Sequence, residues 1–203
     1  MEIQLRYLSI LSALAPIITR LFIKKLTNEQ KLIYILIWIS FSSDCLSFAF
    51  AYIFRNSYYV IQLYIILEIL IISQYFKLLL KSKIPIAFGS CLVLTHFAAI
   101  LMYGITTVDP VLRTVEMLFF LALAFSFFYD LFKNQNQIFF EKLPEFWFNI
   151  GFLFYFSGSL FSWILFQYIN SSDLALTWSF HNIANILKNI LFTIGLWKVR
   201  PTT

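Results

Sequence analysis

Seven times along this chain an apolar run of about 20 residues is followed by a short polar break. As a helix rising 1.5 Å per residue, such a run is about 30 Å long, the thickness of bilayer hydrocarbon. The runs fall at 5–24, 32–54, 58–80, 84–104, 110–132, 146–169 and 174–197. The breaks carry loop chemistry: "KKLTNEQK", "RNS", "KSK", "TTVDP", "KNQNQIFFEKLPE" and "NSSD". Pro85 and Pro110 open their runs, where a missing N–H costs a helix nothing. The longest break is too short to fold as a soluble domain. Inside hydrocarbon each backbone polar group must be satisfied within its own segment, so these runs are helices. Composition removes the soluble alternative: 61% of residues are hydrophobic and only 12% charged, about half the charged share of an ordinary soluble domain. The expectation is an all-α polytopic membrane protein, residues 1–203 forming a single domain of seven transmembrane helices. "SALAP" imitates a signal-peptide cut, but Pro16 would follow the cut and Glu2 offsets Arg6, so 5–24 reads as the first span.

Charge predicts the orientation. Lys24, Lys25, Lys31, Lys77, Lys81, Lys83, Lys133, Lys142, Lys198 and Arg200 all fall on one side of a seven-span plan. Arg6 and Arg55 fall on the other. The positive-inside rule then places the N-terminus outside and the C-terminus in the cytoplasm of a bacterial inner membrane. The net charge of +5 reports this topology and predicts no nucleic-acid partner. The basic inner loops face anionic lipid of the bilayer. Cys45 and Cys91 lie inside apolar runs and read as small packing residues, with no disulfide or metal framework.

Polar residues within the runs are the candidates for function. The last run contains "SFHNIANILKNILFTIGLW". At 100° per residue, His181, Asn182, Asn185, Lys188 and Asn189 share an arc of about 120°. A charge at mid-membrane costs about 2.5–3.5 kcal/mol on insertion scales, so this stripe is expected to face the bundle interior. Acids lie at matching depth: Asp44 in "SFSSDCLS", with Ser40 and Ser47 on its face, and Glu68 in "QLYIILEILIISQYF", with Tyr64 and Tyr75 on its face. His96 lies slightly outside the midplane. The sixth run offers Gly151, Gly158, Ser159, Ser162 and Tyr155, small residues that permit close helix approach. Lys188 with Asp44, Glu68 or both is the expected centre of one buried ligand-binding or polar site. The competing reading is an ion pair that merely locks the bundle. Arg20 is expected to snorkel to headgroups. Arg113 and Glu116 read as a local i,i+3 pair near the outer interface.

"SDCLSFAFAY", "YIILEILIISQYF" and "HNIANILKNILFTIGLW" resemble a group of small seven-helix membrane proteins of Bacteroidetes. The shared features are an Asp in the second helix, a "YTLIEF"-like third helix and an ending of the form H-N-x-x-N-I-x-x-N-I-L. Here Glu68, His181, Asn182, Asn185 and Asn189 match, while Ile65 and Ile66 stand where Thr and Leu are typical. The family's genes often lie beside those of sensor histidine kinases. The resemblance therefore implies a signalling role by association, with a membrane histidine kinase as partner, and supplies no ligand or reaction.

The expected function is a receptor-like sensor of an unknown small ligand that signals through a separate partner. A small transporter or proton-coupled permease is the alternative, since intramembrane charges mark ion pathways. Against it, the chain has neither an evident internal repeat nor paired broken helices. An intramembrane hydrolase is the second alternative, using Asp44 and Glu68 as acid and base with a histidine. No nucleophile elbow, H-E-x-x-H or phosphate-cradling loop is present, so catalytic residues are not assigned and an enzyme is not the expectation. The histidines and carboxylates lack metal-ligand spacing. Lys188 could in principle hold retinal as a Schiff base, but "ANILKNI" does not resemble the rhodopsin helix. No cofactor is expected.

Overall fold

The structure, a computed structural model, describes residues 2–133, 139–166 and 174–199. The end of the sixth run, most of the break after the fifth run, the break "NSSD" and Arg200 lie outside the described residues. Every described secondary-structure element is a helix: α1 (Glu2–Ser12), α2 (Leu14–Arg20), α3 (Asn28–Phe54), α4 (Tyr58–Leu79), α5 (Ile84–Tyr103), α6 (Pro110–Lys133), α7 (Pro144–Phe166) and α8 (Leu174–Lys198), with a 3₁₀ turn at Phe140–Lys142.

Local chemistry explains the boundaries. The first run is broken at Ala13, three residues before Pro16. The proline nitrogen has no hydrogen for the Ser12 carbonyl, so the helical ladder is interrupted there. The run continues as two short helices joined at Ala13, which itself keeps a right-handed helical backbone. Thr27 starts α3 with a capping box: its hydroxyl accepts from the Gln30 amide at 3.3 Å, and the Gln30 side chain accepts from the Thr27 amide at 3.1 Å. Arg55 ends α3 in the left-handed region, and Gly104 ends α5 at φ 85°. Asp109 starts α6, accepting from the Val111 and Leu112 amides at 2.8 and 3.2 Å.

Helices α3 to α7 each contain a stretch long and apolar enough to cross a membrane, which is what a multi-pass membrane protein requires. Helix α8 has 25 residues, but its polar stripe dilutes its hydropathy. Sequence neighbours pack side by side, from α2–α3 and α3–α4 through α6–α7 and α7–α8, and α8 closes against α1 and α2. Helix α4 also touches α6, which leaves α5 with one inward edge. That edge is Pro85, Gly89, Leu92 and His96, stepping by three or four residues. The tightest seam is α7 on α8. A Cβ on Gly158 would lie 2.5 Å from that of Ala184, so glycine is what allows this approach.

Side-chain pairings fix relative direction. Gly195 meets Phe148 and Ser159 meets His181, so α7 and α8 are antiparallel. Ser9 pairs with Asn185 and Ser12 with Asn189, so α1 and α8 run parallel. The bundle thus has two ends. Gln30 donates to Glu145 at 3.0 Å, joining the starts of α3 and α7 at the end where the loop lysines gather.

The core is layered along the same axis. Toward the lysine-rich end it is aromatic: Tyr75, Phe76, Phe148, Phe152 and Phe192 are all essentially inaccessible. Phe152 joins them, with ring centroids 5.7 Å from Tyr75, 6.0 Å from Phe76 and 5.2 Å from Phe192. Phe156 and Phe120, 5.0 Å apart, cap this layer near mid-bundle. Toward the opposite end the core is polar and charged. Cys45 and Cys91 both point outward from the bundle, so the expectation that they serve as packing residues is corrected. In a bilayer, lipid accepts that apolar face as readily as protein would.

Candidate functional site

The polar half of the core is organised around Arg113. This side chain leaves the first turn of α6, and its neighbours on the same stripe, Glu116, Phe120, Leu123 and Phe127, are buried with it. Its guanidinium donates to both Glu116 carboxylate oxygens at 2.6 Å. It also reaches Glu68 of α4 at 3.4 Å and lies over the Trp163 ring of α7 at 5.9 Å. Arg113 is 4% exposed, Glu68 1% and Glu116 not at all. Glu116 continues the chain to His96 of α5, whose Nε2 is 3.3 Å away. Glu68 continues it the other way, accepting from the Tyr64 phenol at 2.8 Å. The phenols of Tyr64 and Tyr155 of α7 adjoin, and over the Tyr155 ring, 4.1 Å from its centre, lies the Lys188 ammonium.

A polar chain therefore crosses five helices: His96, Glu116, Arg113, Glu68, Tyr64, Tyr155 and Lys188. Its formal charges balance, two carboxylates against a guanidinium and an ammonium. Burial of Glu68 and Glu116 without the Arg113 guanidinium would be prohibitive.

Several expectations change in detail. Arg113 and Glu116 do form an i,i+3 pair, but a buried one that also engages α4 and α5. Sequence reasoning took it for a local contact because one helix suffices to explain it. The available signal was depth, since a charged pair in the first turn of a membrane-length helix marks the inward face. Lys188 is buried, as its stripe implies, yet no described carboxylate lies within salt-bridge distance of it. Glu68 and Asp44 act on it from beyond contact. Asp44 is half-buried on α3, within electrostatic range of Lys188, Arg6 and Glu68. Arg20 turns back onto the Ile23 carbonyl and lies over the Tyr34 ring at 5.6 Å.

The stripe on α8 is divided between two neighbours. Asn185 donates to the Ser9 hydroxyl and Asn189 to the Ser12 hydroxyl, both at 2.8 Å, fastening α1. His181 is 2.9 Å from the Ser159 hydroxyl of α7 and packs edge-on to Trp178. Asn182 is half-buried. Lys188 joins the chain centred on Arg113 through the Tyr155 ring, and the His181 ring packs on the same phenol with centroids 5.7 Å apart. No group of three His, Cys, Asp or Glu side chains is placed to hold a metal among the described residues.

At the polar end the chain opens into a cavity of about 400 Å³ between α4, α5 and the α5–α6 loop. Gln62, His96, Tyr103, Thr107 and Asp109 line it, with apolar walls from Ala99, Val108 and Pro110. His96 is part of its wall and also contacts Glu116. The cavity thus touches one terminus of the buried chain. Sequence reasoning missed Gln62 and Asp109, which carry no signal apart from the loop that folds over them. No protein-family model matches the chain, and neither a curated protein nor a solved structure matches it.

Proposed function

We propose that this protein is a seven-span receptor-like sensor of the bacterial inner membrane, with its N-terminus and cavity outside and its C-terminus in the cytoplasm. The observation that carries this reading is the layered core. A cavity at one end leads to a buried ionic chain, and that chain stops at an aromatic layer filling the other end. A ligand in such a cavity can disturb the His96–Glu116 contact, and through Arg113 the relative seating of α4 and α6. Beyond the chain lie the packed rings of Phe120, Phe152, Phe156 and Phe192, with the buried Asn149–Tyr75 hydrogen bond on their far side. Binding coupled to helix rearrangement is the natural output of this arrangement, whereas passage of solute would need the aromatic layer to part.

The lysines gathered at the far end support the orientation by the positive-inside rule. We place the output in a separate protein, and the resemblance noted above favours a membrane histidine kinase in that role. The alternative, a proton-coupled permease, draws on the same buried carboxylates and lysine.

Two measurements on the full chain separate the readings. Reconstituted in liposomes with a pH-sensitive dye inside, the protein should dissipate an imposed proton gradient no faster than empty vesicles. In gentle detergent, the tagged protein should retain a sensor kinase from its native membrane, and Lys188→Met should change that kinase's phosphorylation level. Proton flux above background, with no kinase retained, would establish the permease instead.

A further inference from the structure

The wall of the cavity holds one of the chain's two histidines, and hydrogen bonding fixes which of its nitrogens is free. The Arg113 guanidinium donates to both oxygens of Glu116 at 2.6 Å, the pattern of an ionised carboxylate. An ionised carboxylate only accepts hydrogen bonds. The His96 Nε2 lies 3.3 Å from Glu116 Oε2, so in the neutral ring that nitrogen carries the hydrogen. Nδ1 is then a bare lone pair. It has no hydrogen-bond partner among the described residues, and it is not one of the unpartnered polar atoms sealed from solvent. His96 is 3% exposed and lines the cavity, so the cavity is where solvent meets this nitrogen.

Helix α5 packs on α4 and α6. The charged and titratable groups these helices turn inward here are Tyr64 and Glu68 from α4, and Arg113 and Glu116 from α6. Asp109 and Tyr103 stand on the cavity wall. Two carboxylates and one guanidinium are thus in mutual contact beside the ring, and the second cation, Lys188, is two phenols away. The series also has a stop. Beyond Glu116 comes a guanidinium, which does not give up its proton in proteins. A proton taken up at His96 is therefore held there and not relayed.

Building on the receptor reading, we propose that the ligand of this cavity is the proton, bound at His96 Nδ1 from the outer aqueous phase. Hydronium gives its proton to the Nδ1 lone pair and leaves as water. The ring becomes an imidazolium, and its contact with Glu116 becomes a salt bridge. Glu116 is then shared between two cations. Arg113 turns from it toward Glu68 on α4, its other partner at 3.4 Å. Protonation of one ring thus alters how α4 and α6 sit against each other.

The test uses the full chain in phosphatidylcholine nanodiscs with isotope-labelled histidine, read by nuclear magnetic resonance. Two histidines give two imidazole signals, and either His96→Gln or His181→Gln assigns both, so one folded variant is enough. At about pH 8 the His96 ring should be neutral with its hydrogen on Nε2. As pH falls to about 5, across the range in which histidine changes charge, that form should be lost completely and the imidazolium should replace it. Asp109→Asn removes the other ionisable group closest to the loop while keeping the α6 cap, and the His96 titration should persist in it. In Glu116→Gln the neutral ring should no longer be confined to one tautomer. Amide exchange around Glu68 and Glu116, corrected for the intrinsic rate, should change roughly threefold or more across the same interval in wild type and not in His96→Gln. A hydrogen on Nδ1 at the higher pH, no imidazolium at the lower one, or exchange that responds equally with and without His96 overturns the proposal. Those results leave the receptor reading standing, because kinase retention and the Lys188→Met response are measured at neutral pH. Conversely, proton flux with no kinase retained removes the receptor reading while the His96 titration stands.

Discussion

Removing Arg113 should do more damage than removing any other single polar group in the bundle. Its guanidinium holds two carboxylates that are at most 1% exposed. At an effective dielectric of about 20, unit charges attract by about 6 kcal/mol at the 2.6 Å of the Glu116 contact and about 5 kcal/mol at the 3.4 Å of the Glu68 contact. Desolvation offsets most of that attraction in the intact chain, so the net worth of the cluster is small. Taking out only the cation exposes the offset. Arg113→Met leaves two buried carboxylates facing each other, and the expected loss is about 3–5 kcal/mol. Adding Glu68→Gln and Glu116→Gln to that variant removes the stranded charges and should restore most of the loss. The single glutamates should differ as well. Glu116→Gln breaks the short two-oxygen contact and the contact with His96, whereas Glu68→Gln leaves a one-to-one pair behind, so the former should cost more. Reversible unfolding in mixed micelles, monitored by helical circular dichroism, measures all four variants. If Arg113→Met unfolds within about 1 kcal/mol of wild type, or the triple variant is no more stable than the single one, the cluster is not the electrostatic unit described here.

Lys188 has a ring contact but no described ion pair, so Lys188→Met should be as stable as wild type or up to about 2 kcal/mol more stable, while losing the kinase response. Equal loss of stability and response would mean that the lysine only holds the fold. Asn189→Leu removes the bond to Ser12 and should cost about 0.6–2 kcal/mol, loosening α1; hydrogen exchange over residues 2–20 reads this directly. Gly158→Ala drives a methyl group to 2.5 Å from the Ala184 Cβ on a rigid helix, and about 1–3 kcal/mol of destabilisation is expected in the same unfolding assay. The control Ser157→Ala lies one residue away on an exposed position of α7, and its midpoint should stay at the wild-type value.

The sequence by itself determined the class of structure. Runs of membrane length, interrupted by lysine-rich or turn-forming breaks, permit little except helices in lipid, because lipid satisfies no backbone group. It also determined that Lys188 and Glu68 point inward, since one charge on an otherwise apolar helix identifies the protected face. Periodicity could not say which inward groups meet. Along a single helix Arg113 and Glu116 satisfy each other, and only the approach of α4 and α5 makes them the hub of a longer chain. Five polar residues share one arc of α8, yet that arc spans two neighbours, so Asn185 and Asn189 fasten α1 while Lys188 turns to Tyr155 on α7. The cavity is further still from the sequence. Gln62 becomes an unpartnered acceptor only because the α5–α6 loop folds over it and takes its amide hydrogen. Burial in a bilayer is a property of one helix and its composition, whereas pairing is a property of two helices and the distance between them.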